Sequence, residues 1–459
     1  MAPKFVIIGK PNHGKSSLIS VITMDDSIEI SNKAGTTIEM NHYSYEYKNE
    51  DIIEFYDTPG FEMAEDIADF LEDGHSINEF IEKYHNDNIY KKDIEILNAV
   101  LKSDYIIFLI NSSEIPDENT IGYELTILKY IDKPKLFLFN QKKEKNYNKK
   151  WEELLKEFGF NKNEIIYFNA LKSGYSQIID LLQKIETLTY SKKIINTFQE
   201  DFCFRIKKSI EYIVDMLSEF YTLEVVSNSK ENTEKLFYIK IQDIEKKYRK
   251  KIMQNWGYNK VDFEISLKNL ASTDYKTIAN EGILSLSKSQ IITIGAVIGT
   301  ILVGWMDGGI GVAAIFGGVS GGGIAWYFAD KFIEFTEIKN LISGKTEYKA
   351  SLEIKNVNNI SIYTNPQLQF IHQILSHGHA NREIITMPKR PENWIYDNKT
   401  FNNNEISSIF KALSNIKKDN NVLDAKNNLK EILCKKIKEK ESIIEDLIKD
   451  KSCKNGLNC

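Results

Sequence analysis

The chain has 459 residues, 42% of them hydrophobic, which is enough apolar material for about two to four domains. Its net charge is −6, from 59 Lys and Arg against 65 Asp and Glu, and this argues against a nucleic-acid-binding class; we expect no DNA partner and no RNA partner. The four cysteines lack C-x-x-C spacing, so we expect neither a zinc site nor a disulfide framework.

The first predicted elements are a strand, Phe5–Ile8, a glycine-rich loop and a helix. The loop fits G-x-x-x-x-G-K-[ST], in which backbone N–H groups wrap a phosphate, the lysine meets the β- and γ-phosphates, and the hydroxyl meets Mg²⁺. Lys15 is therefore the predicted catalytic charge and Ser16 a predicted Mg²⁺ ligand. We predict nucleotide contacts from Gly9, Lys10, Pro11, Asn12, His13, Gly14, Lys15, Ser16 and Ser17. The strand follows Met1–Lys4 directly, so we expect a cytoplasmic domain.

Strands alternate with helices through residues 1–190. The further predicted strands are His42–Tyr47, Asp51–Tyr56, Lys102–Asn111, Lys135–Asn140 and Ile165–Asn169. This alternation predicts an α/β domain of three layers with a mostly parallel sheet, the P-loop NTPase fold. Ligands bind at the carboxyl ends of such strands, so Asp57 is expected to reach Mg²⁺ and the Gly60 N–H a γ-phosphate.

Five motifs stand in the order and approximate spacing of GTPase motifs: Gly9–Ser16, Gly35–Thr37, Asp57–Gly60, Asn140 and Asn169–Leu171. The chain resembles the TrmE–Era–septin-like class of GTPases. The resemblance implies GTP or GDP, Mg²⁺ and a molecular switch. It also implies that Thr36 or Thr37 closes on Mg²⁺, with Thr37 joining Ser16 and Asp57 as metal ligands. The implied nucleotide contacts beyond the loop are Thr36, Thr37, Asp57, Gly60, Asn140, Gln141, Asn169, Ala170 and Leu171.

Two positions depart from that class. Where it has Asn-Lys-x-Asp, this chain has Asn140–Lys143, and Lys143 cannot accept hydrogen bonds from guanine. Phe61 follows Gly60 where many switch GTPases carry a water-orienting Gln. Guanine specificity is therefore implied by the resemblance alone, and binding of ATP or of any purine nucleotide remains an alternative. We expect slow hydrolysis without a partner; a nucleotide-binding module with little turnover is the alternative.

Asn12 carries a second implication of the resemblance. In the resembling class an Asn of the phosphate loop helps to hold K⁺ when two nucleotide domains pair. This implies a catalytic role for Asn12, stimulation by K⁺ and self-dimerisation through the GTPase domain. The alternative is that Asn12 only shapes the turn.

Residues 191–459 are predicted to be mainly α-helical, with an apolar glycine-rich helical hairpin at residues 291–329 whose only charge is Asp307. Its glycines recur at four-residue spacing, which lets helices approach closely. One reading is a hairpin in a lipid bilayer, with the chain associated with the inner membrane; the other is a hairpin buried in a soluble domain. A membrane-remodelling GTPase that acts on lipid through the hairpin is an alternative function. The layout resembles a bacterial family with a GTPase domain followed by a C-terminal domain of unknown function, number 3482.

Overall fold

The computed structural model describes residues 1–28, 40–258, 333–339, 346–352, 357–376 and 400–441. The chain divides into two compact units. The first consists of Met1–Asp201, Gly257–Lys260 and Ile374–Arg382, and the second of Phe202–Trp256, Val261–Gln373 and Glu383–Cys459. The boundary expected at residue 190 stays a prediction. Thr36, Thr37 and the predicted hairpin at 291–329 lie outside the described residues.

The first unit contains a six-stranded sheet in the order β2-β3-β1-β4-β5-β6. All neighbouring strands are parallel except β2, which forms an antiparallel pair with β3. The predicted α/β fold with a mostly parallel sheet is thus confirmed. The strands are β1 (Lys4–Ile8), β2 (Asn41–Tyr47), β3 (Glu50–Asp57), β4 (Tyr105–Asn111), β5 (Lys135–Asn140) and β6 (Ile165–Phe168). The helices are α1 (Lys15–Thr23), α2 (Ala64–Glu72), α3 (Ile77–Tyr84), α4 (Lys91–Lys102), α5 (Glu118–Tyr130), α6 (Asn148–Glu157) and α7 (Tyr175–Thr189).

The strands are apolar on both faces because helices cover both. Val6 and Ile8 of β1 belong to a core with apolar residues of α2 to α6, and they are fully buried. Phe5 and Ile7 point to the opposite face, since side chains alternate along a strand, and they are fully buried too. A parallel sheet covered on both faces reads as continuous apolar runs, as these strands do.

The strand register brings the polar motifs to one edge of the sheet. Ile7 pairs with Asp57, so β3 ends beside the start of the phosphate loop. Asn111 pairs with Asn140, and Asn140 with Phe168, so β4, β5 and β6 end at that same edge. The carboxyl ends of the parallel strands therefore surround the loop that follows β1.

Three helices, α2 to α4, separate Gly60 from β4. Asp93 of α4 is fully buried, and its Oδ1 accepts hydrogen bonds from the backbone N–H groups of Glu62 (2.9 Å) and Met63 (3.2 Å). Burial raises the pKa of Asp93, while those two N–H donors oppose the rise. Asp93 thereby fixes the start of α2, directly after the Asp57–Gly60 motif.

The described elements beyond α7 are mainly helical, as predicted. They are α8 (Ile194–Thr222), β7 (Val225–Ser227), α9 (Lys230–Asn255), β8 (Ile333–Lys339), β9 (Thr346–Leu352), α10 (Val357–Ser376), α11 (Asn403–Lys417) and α12 (Val422–Lys440). The small antiparallel sheet, β7-β9-β8, was missed by the sequence analysis. No helix within the described ranges combines the length and the apolar character needed to cross a bilayer.

Cys203 and Cys434 are disulfide-bonded, so the expectation against disulfides drawn from cysteine spacing is wrong for these residues. Spacing along the chain shows only local pairs such as C-x-x-C. Cysteines that are far apart in sequence become close only through tertiary packing.

Candidate nucleotide-binding site

The backbone of the phosphate loop requires glycine at two positions. Gly9 has φ +147°, and a Cβ there would lie 2.4 Å from the Leu109 carbonyl oxygen. Gly14, at φ +103°, precedes the first residue of α1, and its Cβ would lie 2.5 Å from Asn140 Nδ2. Both contacts are shorter than real Cβ atoms tolerate, so any larger residue would displace β4 or Asn140.

The side chain of Lys15 packs against the phosphate loop. Its side chain is 6% exposed, and Nζ donates to the carbonyl oxygens of Gly9 (2.7 Å) and Lys10 (3.2 Å). Burial lowers the pKa of Lys15, while the carboxylates of Asp57 and Glu124 oppose that shift. The ammonium is thus hydrogen-bonded to carbonyl oxygens of the loop to which the motif predicts that a phosphate binds.

Ser16 and Asp57 meet across the site. Ser16 Oγ donates to Asp57 Oδ2 at 2.7 Å. Asp57 is 1% exposed, and its Oδ1 has no hydrogen-bond partner in the described part of the chain. Burial raises the pKa of Asp57, although Ser16 and Lys15 hold it down. A hydroxyl beside an unpartnered carboxylate oxygen is the hard-oxygen chemistry that Mg²⁺ prefers, so these residues fit the ion.

Asn140 links the phosphate loop to the segment after β6. Its Nδ2 donates to the His13 carbonyl oxygen at 2.8 Å, and its Oδ1 accepts from the Ala170 N–H at 3.2 Å. Asn169 Oδ1 accepts from the Leu171 N–H at 3.0 Å and so shapes that segment. The first and fourth motifs and the Asn169–Leu171 segment therefore lie together.

The segment after Asn140 is held by main-chain contacts. Ser113 Oγ accepts from the N–H groups of Lys142 (2.9 Å) and Lys143 (2.8 Å). Gln141 Nε2 donates to the carbonyl oxygens of Lys143 and Glu144, each at 3.0 Å. Lys143, in the place of the class aspartate, is exposed. The backbone of this segment is ordered by its own contacts, while a cation stands where the class has its guanine acceptor.

The remaining predicted residues surround this centre. Gly60 is buried against the loop, so that a Cβ on it would lie 2.7 Å from Pro11 Cδ. Asn12 has φ +64° and an exposed side chain, and Ser17 is buried in α1. Across the described ranges, no group of three or more His, Cys, Asp and Glu residues is arranged to hold a metal ion.

Three side chains near the loop have structural roles that the sequence did not predict. His13 is 5% exposed, its Nδ1 lies 3.0 Å from the Leu109 carbonyl oxygen, and burial lowers its pKa to about 4, so it is neutral at pH 7. Lys142 Nζ donates to the Asn12 carbonyl oxygen. Glu124 of α5 is buried. Only Glu124 left a signal, because it stands at helical spacing among apolar residues.

Comparison with known families agrees with this geometry. Residues 4–141 match a family described as 50S ribosome-binding GTPase, and with the phosphate loop and the Ser16–Asp57 pair this identifies them as a P-loop GTPase-class domain. Residues 153–438, well over half of the chain, match a domain of unknown function, DUF3482. The chain belongs to the DUF3482 family.

Individual relatives are more distant. GTPase Der of Mycoplasma capricolum is 28% identical over 192 residues, which are 40% of this chain and 39% of the relative. GTPase Der of Agathobacter rectalis is 33% identical over 112 residues, 24% of this chain and 21% of the relative. The chain thus spans well under half the length of these relatives. The crystal structure of Aquifex aeolicus Era bound to GDP·AlF4⁻ has 19% identity and a TM-score of 0.29, covering 56% of this chain and 90% of that chain. That score is too low to support an argument.

Proposed function

We propose that the chain is a guanine-nucleotide switch that hydrolyses GTP with Mg²⁺. The observation that carries the proposal is Asp57, whose Oδ2 holds the Ser16 hydroxyl at 2.7 Å while its buried Oδ1 has no partner in the described residues. Ser16 and Asp57, with Thr37, are the proposed holders of Mg²⁺. The ion supplies positive charge to the β- and γ-phosphate oxygens when bound.

The chain's own groups supply the rest of the site. Lys15 exchanges the carbonyl oxygens of Gly9 and Lys10 for phosphate oxygens, because a phosphate is the stronger acceptor for an ammonium. The loop N–H groups and the N-terminus of α1 orient the phosphates. Gly60 is proposed to donate its N–H to the γ-phosphate. Phosphoryl transfer needs mainly such positioning and charge.

Hydrolysis by the lone chain is proposed to be slow. Phe61 packs against the hydrophobic core and has no group that hydrogen-bonds to water. A single-turnover assay with GTP labelled at the γ-phosphate tests the activity, with Lys15→Ala as the loss-of-function variant and Lys150→Ala, at an exposed position of α6, as the control. We expect Lys15→Ala to lower the rate by about 100-fold or more. Wild-type protein that binds GTP but releases no phosphate would favour the binding-module alternative.

The K⁺ proposal depends on Asn12. Its φ of +64° gives Asn a backbone reason to stand there, because Asn adopts the left-handed region more readily than most residues. Asn12→Gly keeps that backbone and removes the amide oxygen. We expect wild-type turnover to rise in KCl over NaCl and with protein concentration, as dimerisation requires, and the variant to lose the K⁺ response. Equal K⁺ responses in both proteins would leave Asn12 as a turn residue.

Guanine preference is proposed despite Lys143. Lys143→Asp restores the acceptor at an exposed position whose backbone is already held by Ser113. We expect the variant to raise discrimination between GTP and ATP in competition binding, because a site with a hydrogen-bond partner for the base edge rejects the wrong base strongly. Wild-type protein that binds both nucleotides equally would contradict guanine preference.

Residues 191–459 are proposed to be the effector region, with 291–329 as a lipid-contacting hairpin at the inner membrane. The support is the sequence, in which 39 residues carry one charge, Asp307. Carbonate washing of cell membranes tests this, with a chain lacking residues 291–329 as the comparison. Full release of the wild-type protein by the wash would contradict membrane insertion.

A further inference from the structure

Glu124 is a buried acid that the proposed phosphate chemistry does not use. It is 4% exposed, and its Oε2 has no hydrogen-bond partner in the part of the chain that the structure describes. Its neighbours on α5 are apolar: Ile121 is 1% exposed, and Leu125 and Leu128 are fully buried. An unpaired carboxyl costs free energy in such a setting, and an apolar residue would pack there without that cost. The acid therefore needs an explanation other than packing.

The face of α5 that carries Glu124 is turned to the phosphate loop. Thr120 lies one helical turn before Glu124, and its Oγ1 accepts from Lys10 Nζ at 2.5 Å. The charges of Lys10 and Lys15 both act on Glu124. Glu124 therefore lies within electrostatic range of the two lysines of the loop.

The other ionisable groups around this face can be accounted for. The charges of Asp57, on β3, and of Glu124 raise the pKa of Lys15, and the charge of Lys142 lowers it. From α2, which packs on α5, Glu65 Oε1 accepts from the Tyr123 hydroxyl at 2.8 Å, and Asp69 acts on that same phenol. Lys10 and Lys15 are the charged groups that act on Glu124, and both favour its ionised form.

Burial outweighs those lysines and raises the pKa of Glu124 to about 7. In the nucleotide-free site the carboxyl is therefore shared between its two protonation states at neutral pH. A nucleotide adds negative phosphates beside the lysines and takes up their positive charge. The ionised carboxylate of Glu124 is then no longer stabilised by the lysines and is repelled by the phosphates. Its protonated form is therefore favoured.

We propose that Glu124 is a positioning residue of the phosphate loop: it balances the charge of Lys10 and Lys15 in the empty site and takes up a proton when a guanine nucleotide binds. The inference rests on the proposed nucleotide binding and adds its regulation by pH. Ionised Glu124 opposes the phosphates and so favours release of nucleotide above neutral pH. Protonated Glu124 permits tight binding below it.

The sign and size follow from linkage. Because the bound state holds the proton more tightly, affinity falls as pH rises above the pKa of the empty site. For a bound-state pKa roughly one unit or more higher, the dissociation constant of the wild-type protein rises by about five- to tenfold between pH 6 and pH 8. Glu124→Gln mimics the protonated carboxyl and lacks this term.

The experiment measures the dissociation constant of a fluorescent GDP analogue with Mg²⁺ from pH 6 to pH 8, for the wild-type chain, Glu124→Gln and the control Glu118→Gln, an exposed position of the same helix. Comparing proteins at each pH cancels the ionisation of GDP itself. We expect Glu124→Gln to match the wild type at pH 6 and to bind about five- to tenfold more tightly at pH 8. Glu118→Gln should follow the wild type throughout.

Four other results would contradict the inference. Weaker binding of Glu124→Gln by the same factor at every pH would assign Glu124 a merely structural role and overturn the inference, as would profiles that coincide. No binding by the wild-type protein at any pH would overturn the proposed function and this inference with it. If the variant folds poorly, the wild-type chain alone still tests the inference. Titration calorimetry at pH 7.5 in two buffers of different ionisation enthalpy measures the protons that the wild-type chain takes up on binding GDP. Zero uptake contradicts the inference.

Discussion

Replacing Asn140 by Ala tests how the phosphate loop is held. Asn140 is 2% exposed and makes two hydrogen bonds, to the His13 carbonyl oxygen (2.8 Å) and from the Ala170 N–H (3.2 Å). The substitution removes both bonds and leaves one carbonyl and one N–H of the buried edge without their partner. It leaves the φ of Gly14 and the Ser16–Asp57 pair untouched.

The expected loss of stability follows from those two groups. Each buried polar group that loses its partner costs about 1–3 kcal/mol, so the sum is about 2–5 kcal/mol when partial hydration of the cavity is allowed for. For a unit of this size each kcal/mol lowers the melting temperature by about 2–4 °C, which predicts a fall of about 4–20 °C. Asn140→Asp keeps the acceptor for Ala170 but places a buried carboxylate oxygen against the His13 carbonyl oxygen, so at neutral pH it should destabilise the chain at least as much as Asn140→Ala.

Thermal and urea unfolding of the nucleotide-free chain measure this loss. Asn119→Ala is the matched control, because Asn119 is an exposed residue of α5 and Ala is the better helix former. We expect no loss of stability from the control. A change of less than about 1 kcal/mol for Asn140→Ala would refute the view that this side chain fastens the loop.

Three further predictions concern residues around the loop. Gly60→Ala places a Cβ 2.7 Å from Pro11 Cδ, so we expect a loss of about 1–3 kcal/mol in urea unfolding, and unchanged stability would show that the loop can move aside at no cost. Asp93→Ala removes the acceptor of two N–H groups at the start of α2; hydrogen exchange of those amides should accelerate, and retained protection would contradict the role given to Asp93. His13 has a pKa of about 4 in the fold against 6.5 unfolded, so the unfolded chain binds a proton first and stability falls by up to about 3 kcal/mol from pH 6.5 to pH 4. His13→Gln should flatten this slope, and parallel slopes would exclude His13 as its source.

The nucleotide domain was largely readable from its sequence because local signals agree with the tertiary fold. The strand Lys135–Asn140 was predicted with the bounds that the structure gives. A short continuous apolar run between polar residues is typical of a strand in a parallel sheet that is covered on both faces. Ser16 and Asp57 were each predicted as Mg²⁺ ligands, and their side chains lie in contact because the phosphate loop and the end of β3 meet at one edge of the sheet. Gly9 and Gly14 of the motif predicted the backbone conformations with positive φ that the loop adopts.

What the sequence did not disclose depends on distant partners. The sheet of β7, β8 and β9 joins short strands far apart in the chain, although β8 and β9 each show polar–apolar alternation that could have been noticed. His13 is neutral because it is buried, and that burial involves residues as distant as Leu109, whose carbonyl oxygen lies 3.0 Å from Nδ1 and by itself raises the pKa of the ring. Glu124 carried a local signal, a single acid on an apolar helical face, whose meaning came only from the lysines opposite.

The melting temperature with GDP or ADP and Mg²⁺, measured for the wild-type chain and for Lys15→Ala, tests whether the phosphate loop forms a guanine-nucleotide site. Ligand at about 100 times its dissociation constant stabilises a protein by about 2.7 kcal/mol. For this unit that predicts a rise of about 5–10 °C with GDP. We expect this rise for the wild type, a much smaller one with ADP, and none for Lys15→Ala. Equal shifts with ADP and GDP, or a full shift in Lys15→Ala, would contradict a guanine-nucleotide site built on the phosphate loop.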